Sequence, residues 1–408
     1  MRENEHMQEN VITPEIRGNQ VAFRHFAPQA SIVNVLGNFN HWNVNQGVME
    51  RQADGWWKRS IDVPLEGSYD YKFLVDGEWV LDPRNPDYGK DAKDRYNSRF
   101  QITTSASAVD HLRALNAGLT AHPAGCGRPE RLELFRAADR ILQLPTAQHN
   151  RVIKEHFIER LNLLAAELGR KERSFIANVY CHGHLLQRAG VTIGLDVVTT
   201  RSVYGMYWDI PARTIEALAA GIDCLLVSHL HPDHLDALLI KHLLARHVPV
   251  FVPAEVVGRL GPGVVPVEPD RTVEFKDWKI TLHRGSHVYD ERKMLVLRYY
   301  ELVGPDGFRA IHTTDHDYTT GVRHGGPIDL LVAKAGGVNP AYEGRGKEAF
   351  LNLIQHLKPR RFVPGHLNEL GHAVRGGREP YQTAIEIVQG AGDLRGDLLH
   401  WGECWRLE

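Results

Sequence analysis

Ser228-His229-Leu230-His231-Pro232-Asp233-His234 sets three histidines and an aspartate within a single short stretch. An apolar run, Cys224 to Val227, leads into it, and a helical run, Leu235 to Ala245, follows. In extended backbone, residues two apart point the same way, so His229 and His231 can face one metal. Pro232 then turns the chain toward the helix and brings Asp233 and His234 to a neighbouring position, suited to a second metal. Imidazole and carboxylate donors suit zinc, and also iron or manganese. A strand that merely ends in histidines is a poor account of so dense a donor set.

From Ser174 onward, short apolar runs alternate with helical ones, the grammar of an α/β domain. Of the 23 histidines, 16 lie at or after His182, which concentrates metal-binding capacity in that half. Upstream, Ile153, Phe157, Leu161, Leu164 and Leu168 follow helical spacing, with Gly169 as a stop. Pro129 suits the first position of an earlier helix.

The pattern His-x-His-x-Asp-His after a strand resembles the signature of the metallo-β-lactamase superfamily, over about residues 174–400. The resemblance implies an αββα fold and a ligand set that can be sought along the chain. Asp196, in Val191 to Val197, matches the aspartate that supports the site from behind. His287 matches the third histidine of the first metal, with His283 as the rival. Asp315, after Ile311-His312-Thr313-Thr314, matches the bridging aspartate, and His366, after Arg361 to Gly365, the last histidine. The implied first metal is held by His229, His231 and His287, and the second by Asp233, His234 and His366, with Asp315 between.

That set implies two divalent transition metals, zinc foremost and iron or manganese as alternatives, with a metal-bridged hydroxide oriented by Asp233 as the nucleophile. The expected reaction is hydrolysis of an ester, lactone, amide or phosphodiester in a small-molecule substrate. A related branch that reduces oxygen or nitric oxide typically places a carboxylate where this chain has His231. The segment Asp329 to Val338 resembles ascorbate-phosphate-lactonase-like and phospholipase-D-like branches. His182 and His184 resemble the Gly-His opening of that branch only loosely. Nothing in the sequence selects among these two and His312, His316, His324 and His372 for contact with substrate.

From Asn19 to Thr104 the signals are all β. Tyr69, Tyr71, Phe73 and Val75 face one way and Asp70, Lys72 and Leu74 the other, before an Asp76-Gly77 turn into Trp79 and Val80. Gly37 to Trp42, Trp57 to Leu65, Gly67 to Trp79 and Asp82-Pro83 together resemble the glycogen-binding domain of the AMP-activated kinase β subunit, in carbohydrate-binding module family 48. The resemblance implies an immunoglobulin-like β-sandwich with α-glucan as partner, contacted by Trp42, Lys72, Trp79 and Asn97. Flat indoles stack on glucose rings, and lysine and asparagine satisfy sugar hydroxyls. Lys93-Asp94-Arg95 stands where the family often has Leu-Gly-Thr, so a leucine beside the sugar is missing.

The expected order is therefore a multidomain chain: a flexible tail over 1–17, a β-sandwich over 18–104, a linker with two helices over 105–172, and the hydrolase domain over 173–408. Within the third segment, the Ala-, Ser-, Thr- and Gly-rich residues 105–128 form the linker proper. With 48 Lys+Arg against 50 Asp+Glu there is no basic excess, which excludes a usual nucleic-acid binder. No apolar run approaches the ~20 residues that span a bilayer. The polar start lacks a signal peptide, and four widely spaced cysteines fit a reducing cytoplasm. Two alternatives remain: a glycogen-targeted scaffold using the metal site structurally, and a phospholipase-D-like phosphodiesterase.

Overall fold

The computed structural model describes the chain except residues 1–12, 18–19, 64–66, 92–94, 103–107, 143–146, 200–201, 204–205, 208, 291–292, 295, 319–320, 336–345 and 371–378. Lys93-Asp94, His372 and most of the expected tail fall outside the described residues. The chain forms two compact units, residues 1–115 with 140–153, and 116–139 with 154–408.

In the first unit, the alternating strands build two sheets. One orders β1 (Glu15–Arg17), β2 (Gln20–Phe26), β5 (Trp56–Asp62) and β4 (Glu50–Arg51) side by side. The other orders β3 (Val33–Gly37), β6 (Gly67–Val75), β9 (Tyr96–Ile102) and β8 (Tyr88–Lys90), with β7 (Glu78–Val80) also on β6. Phe23 and Trp57 from one sheet meet Tyr69, Tyr71, Phe73 and Phe100 from the other in a buried aromatic core. Asp76 and Gly77 both take positive φ, 46° and 93°, as the tight β6–β7 hairpin requires. The expected tail ends earlier than 17: Glu15–Arg17 pairs with β2, and Thr13 Oγ1 donates to Asp82 Oδ2 at 2.7 Å.

The expected linker over 105–128 is also different. Ala108–Ala121 forms helix α1, ahead of α2 (Pro129–Leu142) and α3 (Ala147–Leu168), so three helices replace two. Alanine is the strongest helix former, and Leu112, Leu115 and Leu119 share one buried face. That spacing outweighs the Ser, Thr and Gly content. Ile153, Phe157, Leu161, Leu164 and Leu168 are all buried along α3, as their spacing predicts.

The second unit packs a seven-stranded sheet on a six-stranded one. The first runs β17 (Val265–Val267), β16 (Val250–Pro253), β15 (Cys224–Leu226), β12 (Val191–Leu195), β11 (Gly183–Arg188), β10 (Phe175–Tyr180) and β26 (Cys404–Arg406). The second runs β18 (Thr272–Phe275), β19 (Trp278–Gly285), β22 (Leu297–Val303), β23 (Arg309–His312), β24 (Leu330–Lys334) and β25 (Phe362–Gly365). Two small hairpins, β13 (Ser202–Val203) with β14 (Met206–Tyr207) and β20 (Val288–Asp290) with β21 (Lys293–Met294), stand apart.

Ile193 and Leu226 of one sheet share a single core with Trp278, Ile280, Tyr300 and Val332 of the other. Helices α4 (Ala212–Gly221), α5 (Ala237–Ala245) and α6 (Gly346–Leu357) occupy the crossovers between the parallel pairs β12–β15, β15–β16 and β24–β25. This is the αββα arrangement.

A buried ion cluster ties α2 to the C-terminal segment. The Arg131 guanidinium donates to Asp397 at 2.9 Å and to both oxygens of Glu403 at 2.6 and 2.8 Å, with 2% of its side chain exposed. Removing one partner of such a cluster strands the others in low dielectric. Arg131→Ala is therefore expected to destabilise this unit by about 3–5 kcal/mol, measured by denaturant unfolding of the full chain. A change below about 1 kcal/mol would show that the cluster contributes little.

Candidate metal centre

The histidine-rich stretch follows β15, and the chain turns at 231–236 before α5. Asp236 caps that helix, accepting from Leu238 N and Leu239 N at 3.0 Å. His287 follows β19, Asp315 follows β23 and His366 follows β25. β12, β15, β23, β24 and β25 run in parallel sets, and candidate site residues follow their carboxyl ends, the usual place for a site in such sheets.

Two donor clusters meet there. His229, His231, His287 and Asp315 each offer one ligand atom, all within 4.8 Å of one another, and Asp233, His234, Asp315 and His366 do the same. Asp315 belongs to both, through different oxygens. Its Oδ2 lies 3.9 Å from His229 Nε2 and 3.5 Å from His287 Nε2, and its Oδ1 lies 3.2 Å from His234 Nε2 and 3.3 Å from His366 Nε2. Asp233 Oδ2 stands 3.3 Å from the same two Nε2 atoms.

These separations exceed the ~2.7–2.9 Å of a charge-assisted hydrogen bond. All but the 3.9 Å at His229 lie near the ~3.3–3.6 Å edge between donors placed tetrahedrally at ~2.0–2.2 Å around an ion. His229 Nε2, His234 Nε2, His287 Nε2 and Asp315 Oδ1 are buried without a hydrogen-bond partner. Four such orphaned atoms, within a convergence of seven side chains, fit a pair of metal ions.

The outer nitrogens are held by the protein. Asp196 accepts from Ser228 N and Tyr300 OH on Oδ1, at 2.7 and 2.8 Å, and from Ser228 Oγ on Oδ2 at 2.6 Å. His234 Nδ1 lies 2.8 Å from the same Oδ2, and a carboxylate fixes the proton on Nδ1. Because Ser228 Oγ gives its proton to Asp196, it accepts from His229 Nδ1 at 2.8 Å. Both rings thus turn an Nε2 lone pair inward. Asp196, Thr314 and His366 all take left-handed backbone, φ 50°, 51° and 62°.

Burial opposes ionisation of Asp233 and Asp315. His234 outweighs it at Asp233, and Lys334, His366 and His234 at Asp315, so both carboxyls sit well below their usual range. Burial also opposes protonation of His234 and His366, yet neighbouring acids, Asp315 among them, hold both well above the ordinary imidazole value. Burial pushes His287 down to about 4 and lowers His229 and His231.

The remaining histidines sort by geometry. His283 Nε2 lies 3.0 Å from Glu301 Oε2, apart from both clusters. His184 Nδ1 and His312 Nε2 both reach the His182 carbonyl, at 2.9 and 3.1 Å, and His312 Nδ1 accepts from Thr314 N. His316 is spent on Ser286 N and the Gly321 carbonyl, and His324 on the Gly326 carbonyl.

In the first unit, Trp42 and Trp79 meet edge to face with centroids 5.9 Å apart, and Trp79 is 52% exposed. Trp79 pairs with Leu74, which places it on the same sheet face as Lys72. Asn97 is on that face too, but it is 4% exposed, and its amide nitrogen stands 3.5 Å from Asp70 Oδ2. Little of the Asn97 side chain therefore reaches the surface on which the resemblance expects a sugar contact. Lys72 is half-buried.

Residues 202–367 match the family model described as the β-lactamase superfamily domain. The second unit carries a β-lactamase superfamily domain. All seven converging side chains lie inside the matched span, and the unit is an enzyme domain of the metallo-β-lactamase fold. Residues 8–92 match carbohydrate-binding module 48, the isoamylase N-terminal domain.

Among curated proteins, the chain is similar to the 5'-AMP-activated protein kinase subunit beta-2 of Mus musculus and of Homo sapiens. Each is 39% identical over 54 residues, 13% of this chain and 19% of the relative's length. Among solved structures, a possible metal-dependent hydrolase from Veillonella parvula is 14% identical, covering 58% of this chain and 100% of that one, with TM-score 0.47. Igni18, a metallo hydrolase from Ignicoccus hospitalis, is 15% identical over 58% and 98%, with TM-score 0.45.

Sequence reasoning missed three residues of the β-lactamase superfamily domain's centre. Ser228 and Tyr300 complete the Asp196 cradle, and Lys334 reaches within 3.7 Å of Asp315 Oδ2. Ser228 opens the decisive stretch, but a serine beside histidines carries no signal of its own. Tyr300 and Lys334 read as ordinary strand residues, and only the pairing of strands brings them in.

Proposed function

We propose that the protein is a dinuclear metal-dependent hydrolase whose N-terminal module holds it on an α-glucan. The observation that carries the first half is the pair of four-donor clusters sharing Asp315. His229, His231 and His287 would hold one ion, Asp233, His234 and His366 the other, and Asp315 both. Imidazole and carboxylate donors favour zinc, with iron or manganese also compatible. When bound, the ions supply Lewis acidity and bring the pKa of water to about 7.

The chain's own groups do the rest. Asp196 and Ser228 fix the Nδ1 protons of His234 and His229. Asp233, turned toward the second cluster, would accept a hydrogen bond from the attacking water and orient it. Burial of the centre keeps bulk water from competing. An ester, lactone or phosphodiester bond fits this chemistry.

The glucan half rests on the Trp42–Trp79 pair and Lys72, on one face of a sheet whose aromatic core is elsewhere. None of the described helices is long and apolar enough to cross a membrane. The four cysteines are free, which supports a reducing, cytoplasmic setting.

Reconstitution is expected to give two metals per chain by elemental analysis, with proton release on uptake, since imidazole and carboxylate ligands must be deprotonated to bind an ion. Chelation should remove hydrolysis of an aryl ester, lactone and phosphodiester panel. Metal content well below one per chain after reconstitution would refute the dinuclear reading.

A further inference from the structure

Lys334 is a cation the ligand set does not need. It closes β24, and its ammonium lies 3.7 Å from Asp315 Oδ2, with 17% of the side chain exposed. Its position is fixed from both sides of its own backbone. Lys334 N donates to Thr313 Oγ1 at 3.1 Å, its carbonyl accepts from Tyr318 OH at 2.7 Å, and it pairs in register with Gly365, the residue before His366. Oδ2 is the Asp315 oxygen turned toward His229 and His287, so the ammonium stands at the first cluster. Among the described residues, no other lysine or arginine nitrogen comes within 4.0 Å of either Asp233 or Asp315.

Charge decides what this placement is for. Of the seven proposed ligands only Asp233 and Asp315 are acidic. Two divalent ions therefore outweigh the charge of their own ligands, and Lys334 adds a further positive charge beside them. A partly buried ammonium beside such a centre is costly unless an anion joins them. The ammonium is a compact donor with three hydrogens and reaches from a rigid strand end, which suits capture of a single oxygen.

We propose that Lys334 binds an anionic oxygen of the substrate, so that this site acts on molecules carrying a phosphoryl or carboxylate group at or beside the scissile bond rather than on neutral esters or lactones. This rests on the hydrolase reading above and narrows its substrate class. Lys334 would draw the charged oxygen to the first cluster and hold the scissile bond between Asp233 and Asp315.

The test uses full-length protein reconstituted with zinc, as wild type, Lys334→Met and Lys334→Arg. Inorganic phosphate and acetate are titrated calorimetrically, which needs no turnover. Bis(p-nitrophenyl) phosphate and p-nitrophenyl acetate then report hydrolysis of an anionic and a neutral bond. Lys334→Met is expected to weaken phosphate or acetate binding by about 10-fold or more at unchanged metal content, with Lys334→Arg recovering most of it. The anion more affected identifies phosphoryl or carboxylate as the recognised group. Lys334→Met should also shift preference away from the anionic ester by a similar factor, mainly through KM.

Unchanged binding of both anions in a metal-loaded Lys334→Met would overturn the proposal. So would loss of metal from that variant, which would make Lys334 a support of the ligands. Equal losses on both esters would overturn it as well. A wild-type chain that takes up no metal overturns the hydrolase reading itself, a result distinct from any of these.

Discussion

Asp233→Ala is expected to lower hydrolysis on the order of 10³-fold while leaving the fold in place. The carboxylate stands 3.3 Å from both His234 Nε2 and His366 Nε2, so the change removes one of four donors from the second cluster and the proposed acceptor for the attacking water. Little packing goes with it, because Asp233 sits in a turn between β15 and α5. Asp315 would still face His234 and His366, and both histidines would lose one neighbouring carboxylate. Circular dichroism and melting should resemble wild type, and metal content should fall toward one per chain. Turnover within a few-fold of wild type, in purified and metal-loaded Asp233→Ala, would mean that Asp233 is not part of the mechanism.

In the other unit the largest effect falls on binding. Trp79→Ala and Trp42→Ala are each expected to reduce retention of the full chain on glycogen by about 10-fold, through loss of a flat apolar face. Trp79 is 52% exposed, so its removal should change stability by no more than about 0.5 kcal/mol. That separates a lost surface from a lost fold. Lys72→Ala should weaken retention less, since one hydrogen bond to a hydroxyl is worth only about 1 kcal/mol. Equal retention of wild type and both tryptophan variants would show that the face serves some purpose other than sugar.

Much of the centre was legible because its donors follow strand ends in chain order. A strand end fixes where the next side chain goes, so His229, His231, Asp315 and His366 could be read with little knowledge of packing. His287 against His283 was harder, since both lie on or just past one strand. The structure separates them through Glu301, the fifth residue of the neighbouring β22, which takes His283. Asn97 was read as a sugar contact from its match, but it is largely buried beside Asp70 on the neighbouring strand, which a linear pattern does not show.

The linker failed for a different reason. Composition suggested looseness over 105–128, while three leucines at helical spacing carried the stronger instruction. Lys334 could not be found in the sequence, because its partner lies across a parallel strand pair.

The two clusters share one further property. His229, His231, Asp233 and His234 come from the end of β15 in the seven-stranded sheet, whereas His287, Asp315 and His366 come from the six-stranded sheet. Neither sheet holds a complete set for either ion. An ion bound there as proposed would rivet the two halves of the sandwich, and it could do so only after their faces have docked. Occupancy then becomes a readout of finished assembly, and free metal concentration becomes a thermodynamic handle on the whole unit, worth about 1.4 kcal/mol of stability per decade above the dissociation constant for each ion. A chain starved of metal would keep its fold but lose that reserve, so the supply of ions would govern how long the protein lasts as well as whether it works.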